Sequence, residues 1–254
     1  MIPKKIHYCW FGRGKKPNLI RKCLKTWKNI MPDYEIIEWN EDNFDINTVP
    51  FVKQAYAEHK WAFVADYCRF YACYHEGGIY LDTDVEVFKR FDKFLNHCCF
   101  AGTEVQRRYN LERIMVDASA FGCEKGHWFA KKCMEFYHDK PFRLNDGSIP
   151  GGVVQLVATM ILEPYGYIRK NCNQTINDIS IYDTSFFANI TTPNNKLSLY
   201  SLHHFDGSWT DEGNRGHIFK FCRRHDLLHI YRALEKLKIK VLEIALNNKD
   251  TSYH

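Results

Sequence analysis

Strand-like and helix-like segments alternate in the first part of the chain, and this alternation constrains the fold more than any other feature. "KKIHYCWFG" and "YEIIEWN" have the character of strands, and "PNLIRKCLKTWKNIMP" between them has helical apolar spacing. A long helical stretch, interpreted as one or two helices, then ends at Gly77 and Gly78, and the strand "IYLDTDVEVF" follows. The alternation predicts an α/β fold with a mainly parallel central sheet.

Composition and charge predict that the chain consists of one folded domain and a basic C-terminal segment. The 254 residues are 45% hydrophobic, enough for one sizeable core. Between residues 215 and 249, nine Lys and Arg stand against three Asp and Glu, whereas the whole chain has a net charge of +5. We therefore predict a domain over residues 1–215 and a basic, amphipathic helical segment over 216–254. We expect this segment to contact an anionic membrane surface peripherally, and we expect no nucleic-acid partner. The alternative is a helix that packs on the domain.

The cysteine pattern favours a reducing compartment. The ten cysteines form no CxxC pair and lie in apolar stretches. The N-terminal stretch lacks the long apolar run of a signal peptide, and no run reaches the ~18 apolar residues of a membrane span. We expect buried, reduced thiols and a cytoplasmic location, peripheral on the inner face of the cytoplasmic membrane.

Two acids interrupt the apolar run of "GGIYLDTDVEVF". In a continuous strand, Asp82 and Asp84 would point to the same face, a few Å apart. Adjacent carboxylates repel each other unless a cation or a proton compensates them. Mg²⁺ or Mn²⁺ suits such a pair, because both prefer oxygen ligands. The alternative is an ordinary strand with a solvated acidic face.

The preceding helix carries a second acid and a guanidinium. Asp66 and Arg69 are three residues apart, hence on one face of the helix. The Gly77-Gly78 turn folds this helix back towards the strand of Asp82, so the sequence predicts that all three side chains approach one another. Arginine is suited to phosphate oxygens and sugar hydroxyls. The alternative is a local surface ion pair.

Histidines near the other end of the domain are further candidates. His203 and His204 open the stretch "HHFDGSW", and imidazole combines with carboxylates in Mn²⁺-type sites. The residues do not separate the two histidines, and a surface loop is the alternative. From the residues alone, Trp10, at the end of the first strand, is expected to be a core aromatic.

These motifs together resemble a known family. "VADYCRFYACYHEGGIYLDTDVEVF" resembles the signature of the family 32 glycosyltransferases, the DXD-containing sugar transferases that include many bacterial capsule and lipopolysaccharide enzymes. "IPKKIHYCWFG" resembles the first strand of that family, and "HHFDGSW" resembles its C-terminal motif. The resemblance implies a GT-A fold and a nucleotide-sugar donor, with UDP favoured over GDP.

The resemblance also implies roles for individual residues. Asp82 and Asp84 would hold Mn²⁺ or Mg²⁺ against the diphosphate, and His203 or His204 would complete the metal shell. The other implied contacts are Trp10 on the uracil, Asp66 on ribose or sugar hydroxyls, Arg69 on the sugar or a phosphate oxygen, Ser208 and Trp209 near the diphosphate, and Asp117 of "MVDASAFG" on donor or acceptor hydroxyls.

The predicted function is a retaining, metal-dependent sugar transfer from a nucleotide diphosphate to a hydroxyl of a polysaccharide, lipopolysaccharide or lipid-linked oligosaccharide. Two other functions stay open. A metal-dependent phosphohydrolase would use Asp82 as nucleophile in a D-x-D-x-[TV] motif, although Glu86 stands where Thr or Val is expected. A non-catalytic nucleotide-sugar-binding protein would retain the binding residues without turnover.

Overall fold

The computed structural model describes residues 1–108, 111–150, 152–189, 198–205, 230 and 233. The chain divides into two compact units, Met1–Val105 with Ile114–Asp206, and Gln106–Arg113 with Gly207–His254. The first unit holds nearly all the described residues and every candidate site residue that is described. Most of the predicted basic segment over 216–254 lies outside the described residues, so that boundary remains a prediction.

Five α-helices and ten strands make up the described part of the chain. The helices are α1 (Asn18–Ile30), α2 (Pro50–Ala57), α3 (Trp61–Glu76), α4 (Trp128–His138) and α5 (Val154–Leu162). The strands are β1 (Lys5–Cys9), β2 (Glu35–Trp39), β3 (Gly78–Leu81), β4 (Val85–Val87), β5 (Cys99–Arg108), β6 (Leu111–Cys123), β7 (Gln174–Ile176), β8 (Ile179–Tyr182), β9 (Phe187–Asn189) and β10 (Ser201–His203).

Seven strands form the central sheet in the order β2-β1-β3-β6-β5-β8-β7. β1 is parallel to β2 and β3, and β5 is parallel to β8, whereas the pairs β3–β6 and β7–β8 are antiparallel. A second sheet has the order β4-β10-β9. The predicted α/β class with a large, mainly parallel central sheet is confirmed. Strands β6 and β7 are antiparallel to the strands beside them.

The two faces of the central sheet are buried in separate cores. On β3, Tyr80 packs into a cluster that includes Phe70 of α3 and Phe129 of α4. Its neighbours Ile79 and Leu81 point the other way, into a cluster with Trp27 of α1. This alternation is what a strand buried on both faces requires. Burial on both faces fixes the position of β3 and therefore the position of Asp82, the residue that follows it.

Helix α3 ends as the sequence predicts, at the glycine pair. Gly77 is the C-cap residue with φ 64°, and its N–H donates to the carbonyl of Cys73. At Gly78, a β-carbon would lie 2.9 Å from Nε2 of His7, so the absence of a side chain lets β3 approach β1 closely. The sequence left one or two helices open before this turn, and the structure has two, α2 and α3.

The prediction of one strand over "IYLDTDVEVF" is wrong. β3 ends at Leu81, a turn closed by the Val85 N–H and the Asp82 carbonyl follows, and β4 joins the second sheet. Asp82 is therefore the first residue of a turn and Asp84 its third, and the two do not share a strand face. An apolar pattern of period two cannot distinguish one strand from two strands across a tight turn, although Asp is a turn-forming residue.

The burial of the cysteines agrees with one further expectation. None of the nine described cysteines forms a disulfide, and seven of them are buried. Within the ranges given above, no helix combines the length and apolarity needed to cross a membrane.

Candidate functional site

Asp82 lies at the end of β3, and two neighbours hold its carboxylate. Its backbone N–H donates to the Ser119 carbonyl on β6, which extends the strand pairing by one residue. Nη1 of Arg69 lies 3.2 Å from Asp82 Oδ1, and the Tyr80 hydroxyl donates to the same oxygen at 3.0 Å. The structure thus brings an arginine of α3 to the first acid of the DXD motif, as the helix spacing predicts.

Arg69 is the centre of this contact set and is only 4% exposed. Nη2 donates to Asp66 Oδ1 at 2.8 Å, Nη1 donates to the Ala118 carbonyl at 2.7 Å, and the guanidinium carbon lies 4.7 Å from the centre of the Tyr80 ring. Asp66 and Arg69 are therefore buried, which excludes the surface-pair alternative. Burial raises the pKa of Asp66 to about 7, against the opposing charge of Arg69.

The second acid of the motif faces a histidine. Nε2 of His203, on β10, lies 3.2 Å from Asp84 Oδ1. β10 pairs antiparallel with β4 and places His203 opposite Val85, one residue beyond Asp84. Burial alone would lower the pKa of His203. The surrounding carboxylates, Asp84 foremost, outweigh that effect and raise the pKa to about 10. Asp84 and His203 are thus an oppositely charged pair when no other cation is bound.

The two neighbouring histidines have different partners. The backbone N–H of His204 donates to the Asp84 carbonyl, but its ring Nε2 lies 3.0 Å from Glu86 Oε2. Only His203 directs its ring to the second acid of the motif. The geometry distinguishes two histidines that the sequence analysis did not separate.

Asp117 lies on β6 and is 5% exposed. The Ser119 N–H donates to its Oδ1 at 2.7 Å. Burial raises the pKa of Asp117, and the charge of His203 opposes that rise. The structure therefore places Asp117 beside the histidine that also faces Asp84.

Glu104, on β5, was missed by the sequence reasoning. It is 2% exposed, and the Gln155 side-chain amide of α5 donates to its Oε2 at 3.1 Å. Potential ligand atoms of Glu104, Asp117 and His203 all lie within 4.8 Å of one another. The available signal was a lone acid in the apolar stretch "CCFAGTEV", the same anomaly that drew attention to the DXD motif.

A cleft lies where β1 and β2 end, at the edge of the sheet that also receives the end of β3. Its volume is about 210 Å³, and its lining includes Trp10, Lys16, Glu38 and Asn40. Trp10 is partly buried, its Nε1 donates to the Gly14 carbonyl at 2.6 Å, and Lys16 Nζ lies 5.3 Å from its ring centre. Because the carboxyl ends of parallel strands meet at one edge of a sheet, the cleft and Asp82 share that edge.

The described part of the site carries more negative than positive side chains. Two basic groups, Arg69 and His203, stand among five acids, which are Asp66, Asp82, Asp84, Glu104 and Asp117. Carboxylates that lie close together repel each other unless a cation or a proton compensates them, so this arrangement favours a cationic ligand. Oxygen-rich ligands with one imidazole fit Mn²⁺ or Mg²⁺. Ser208 and Trp209 lie outside the described residues, so their predicted contacts remain predictions.

Comparison with known proteins shows what this chain is similar to. Residues 17–101 match the family described as "Glycosyltransferase sugar-binding region containing DXD motif", and this range includes Asp66, Arg69, Asp82 and Asp84. Among curated proteins, inositol phosphoceramide mannosyltransferase 3 of Schizosaccharomyces pombe is 30% identical over 132 residues, which cover 50% of this chain. The match spans only 35% of that relative's length.

Solved glycosyltransferase structures give weaker likenesses. PaToxG glycosyltransferase has a TM-score of 0.42 and 18% identity over 64% of this chain and 69% of its own. A glycosyltransferase involved in the glycosylation of the major capsid of PBCV-1 has a TM-score of 0.42 and 13% identity over 83% and 96%. The galactosyltransferase LgtC, in complex with donor and acceptor sugar analogues, has a TM-score of 0.39 and 11% identity over 74% and 76%.

Proposed function

We propose that the protein is a metal-dependent, retaining glycosyltransferase of the GT-A type and of family 32. It moves a hexose from a nucleotide diphosphate, UDP before GDP, to an acceptor hydroxyl. The observation that carries this proposal is the buried contact of Asp66, Arg69 and Asp82 beside the Asp84–His203 pair, inside and next to the segment that matches the sugar-binding family. An isolated D-x-D would not support it, because that spacing is common.

The donor's nucleotide has a suitable cleft. A half-buried indole such as that of Trp10 can stack on a uracil, and base–aromatic stacking contributes about 1–3 kcal/mol per base. The cleft lies at the sheet edge where Asp82 begins the turn, so a nucleotide in the cleft would direct its diphosphate along that edge. Arg69 and Asp66 would then meet phosphate oxygens and sugar hydroxyls.

Asp82, Asp84 and His203 are the residues proposed to hold a cation against the diphosphate. When bound, a divalent cation neutralises charge on the leaving diphosphate. The residues of the chain fix the position of the donor: Arg69 is held by Asp66 and the Ala118 carbonyl, so its charge is already in place when the diphosphate departs. Interaction energy realised at that stage lowers the barrier, not merely the dissociation constant of the donor.

The acceptor is proposed to be a polysaccharide, a lipopolysaccharide or a lipid-linked oligosaccharide. The curated relative is named for mannosyl transfer to inositol phosphoceramide, a lipid, so GDP-mannose and a phosphoinositol lipid belong in the substrate screen. The basic stretch between residues 215 and 249 supports contact with an anionic membrane surface. A cytoplasmic, membrane-peripheral location is part of this proposal.

The phosphohydrolase alternative is less consistent with the contacts of Asp82. A nucleophilic carboxylate needs an oxygen free to attack. Oδ1 of Asp82 instead accepts from the Tyr80 hydroxyl and lies 3.2 Å from Arg69 Nη1, and Oδ2 accepts from Arg69 Nη1 at 3.4 Å. No covalent phospho-aspartate is therefore expected.

The experiment is a donor screen with Mn²⁺ and a phosphoinositol lipid as acceptor. UDP-glucose, UDP-galactose, UDP-N-acetylglucosamine and GDP-mannose are each followed by nucleotide release and by NMR of the glycosylated product. Nucleotide release with retention at the anomeric carbon, lost in Asp84→Ala and kept in Asp139→Ala, supports the proposal. Asp139 is a matched control because it is an exposed aspartate at the end of α4. Donor binding without turnover favours the non-catalytic alternative, and inversion contradicts the retaining mechanism.

A further inference from the structure

The exposed face of helix α1 is strongly basic. Between residues 11 and 32 the chain has seven Lys and Arg and no Asp or Glu. Four of these bases lie three or four residues apart on α1, so they form one stripe along the helix. All four are exposed: Arg21, Lys22, Lys25 and Lys28. The opposite face is buried in the core around Trp27, so the basic stripe is the side of α1 that faces away from the domain.

The charges of this stripe are poorly compensated within the protein. On other helices an exposed base lies near an acid, as Lys131 of α4 lies 3.8 Å from Glu135. Arg21, Lys25 and Lys28, by contrast, form no ion pair with any residue in the described part of the chain. The stripe therefore presents positive charge to the surroundings.

These charges do not serve the stability of α1. Like charges three or four residues apart on a helix repel each other, as Arg21 and Lys25 do, and Lys25 and Lys28. Positive charge is also unfavourable near a helix N-terminus, and the first turn of α1 carries no acid to offset it. Only Lys28 lies in the last turn, where a base is favourable. The stripe thus needs another explanation, and its charge attracts an anionic partner.

Helix α1 is held directly against the strand that follows the DXD turn. Trp27 Nε1–H donates to the Val85 carbonyl at 2.8 Å, and the Val87 N–H donates to Thr26 Oγ1 at 3.0 Å. The segment before α1 supplies Lys16 to the cleft. A surface that contacts the basic stripe would therefore be separated from the strand after the DXD turn by about one helix diameter, ~10–12 Å.

We propose that the basic stripe of α1 docks the protein on a membrane surface rich in anionic phospholipid. A cluster of four bases on a folded helix fits such a surface, because each base attracts the headgroups through its charge. Helix α1, which is described throughout, has no exposed aromatic ring on which a nucleic acid could stack its bases. One consequence rests on the proposed function: a lipid-anchored acceptor would be held near the DXD turn.

The test is co-sedimentation of the full-length protein with vesicles of equal parts phosphatidylcholine and phosphatidylserine at low salt. A triple variant with Arg21→Gln, Lys25→Gln and Lys28→Gln is expected to bind about 100-fold more weakly than wild type. A double variant with Lys25→Gln and Lys28→Gln should lose about 30-fold. The melting temperature of the triple variant should not fall below that of wild type, because the replaced charges repel one another.

The matched control removes the same number of charges near α4, which packs on the other face of the central sheet. Lys125→Gln, Lys131→Gln and Lys132→Gln together replace three exposed bases there. This variant is expected to bind the vesicles within about threefold of wild type, because its charges lie far from the proposed contact. Vesicle binding by wild type should weaken as the salt concentration rises.

The inference is overturned if wild type does not bind the vesicles, if both α1 variants bind like wild type, if the control loses as much affinity as the triple variant, or if the triple variant melts below wild type. Binding to dextran sulfate, a soluble anionic polymer, without binding to vesicles would also overturn it. A parallel titration of UDP with Mn²⁺, without vesicles, separates the two proposals. If only this inference fails, wild type still binds UDP; if the proposed function fails, it binds no nucleotide, whatever the vesicle result.

Discussion

Nη1 of Arg69 lies 3.2 Å from Oδ1 of Asp82 and joins helix α3 to the turn that carries the DXD motif. The same guanidinium holds Asp66 and the Ala118 carbonyl on β6. Because one buried group satisfies partners on three elements, the local structure of the site and the stability of the domain depend on the same side chain.

Replacing Arg69 is therefore expected to affect both stability and turnover. Arg69→Met leaves Asp66 and Asp82 without their cation and is expected to lower the free energy of unfolding by about 3–5 kcal/mol. Arg69→Lys keeps the charge but loses the fork geometry, so it should destabilise less and still lose donor turnover. Urea unfolding and nucleotide release measure the two effects. Arg143→Met, which breaks an exposed pair with Glu58, is the control and should change neither appreciably.

The two histidines provide a matched pair. His203→Gln is expected to weaken Mn²⁺-dependent nucleotide binding about 10–100-fold, because its ring faces Asp84, whereas His204→Gln should have little effect. Calorimetric titration of UDP in the presence of Mn²⁺ measures both. An equal loss in the two variants, or a larger loss for His204→Gln, would show that the assignment is wrong.

Trp10 is expected to stabilise the bound base. Trp10→Ala should weaken UDP binding by about 1–3 kcal/mol, and Trp10→Phe should recover part of that loss, since a smaller ring can still stack. Trp128→Ala removes another partly buried indole, which donates to Asp178, and is the control. If Trp10→Ala binds UDP like wild type, the base lies elsewhere.

His7 predicts a dependence of stability on pH. It is fully buried, its Nδ1 accepts from Trp39 Nε1–H at 3.1 Å, and Nε2–H donates to the Gly77 carbonyl at 2.8 Å, so the neutral ring is the form the fold requires. Burial lowers the pKa of His7 below its ordinary 6.5. The unfolded state therefore binds the proton more readily, and this contribution to stability is complete above pH 6.5 and is lost as the pH falls below it.

The loss should be about 1.4 kcal/mol per pH unit between the unfolded and folded pKa values of His7. Urea unfolding at pH 7.5 and pH 5 measures it, with His7→Gln as the comparison, because other groups also titrate in this range. The stability advantage of wild type over His7→Gln should narrow at pH 5. An advantage that stays constant or grows would contradict the contacts assigned to His7.

The basic segment is expected to bind anionic membranes through charge. Replacing Arg223, Arg224, Lys236, Lys238 and Lys240 with Gln should reduce co-sedimentation with phosphatidylserine vesicles, each lost charge contributing about 1 kcal/mol. Neutral phosphatidylcholine vesicles and increasing salt are the controls. Unchanged binding to anionic vesicles would favour the alternative, a helix that packs on the protein.

Sequence reasoning succeeded where local patterns determine structure. The period of the apolar residues gave the α/β class, the glycine pair gave the end of α3, and the three-residue spacing gave the shared face of Asp66 and Arg69. It failed where tertiary contacts decide. The turn at Asp82 exists because β4 pairs with β10, more than a hundred residues away, and no local pattern reports that pairing.

The same limit explains why the sequence analysis missed Glu104 and could not decide between His203 and His204. Glu104 approaches Asp117 and His203 only through the packing of three strands. His203 and His204 are adjacent, so their difference comes from β10, which directs one ring to Asp84 and the other to Glu86. A lone acid in an apolar strand was nevertheless visible in the sequence and warranted the same suspicion as the DXD pair.

The most direct test of the central claim is calorimetric titration of UDP into wild type and Asp84→Ala, first with Mn²⁺ and then with EDTA. The proposal predicts binding by wild type with Mn²⁺ that EDTA abolishes and that Asp84→Ala lacks. UDP binding that is independent of both Mn²⁺ and Asp84, or no binding of UDP or GDP under either condition, would contradict a metal-dependent transferase site at the DXD turn.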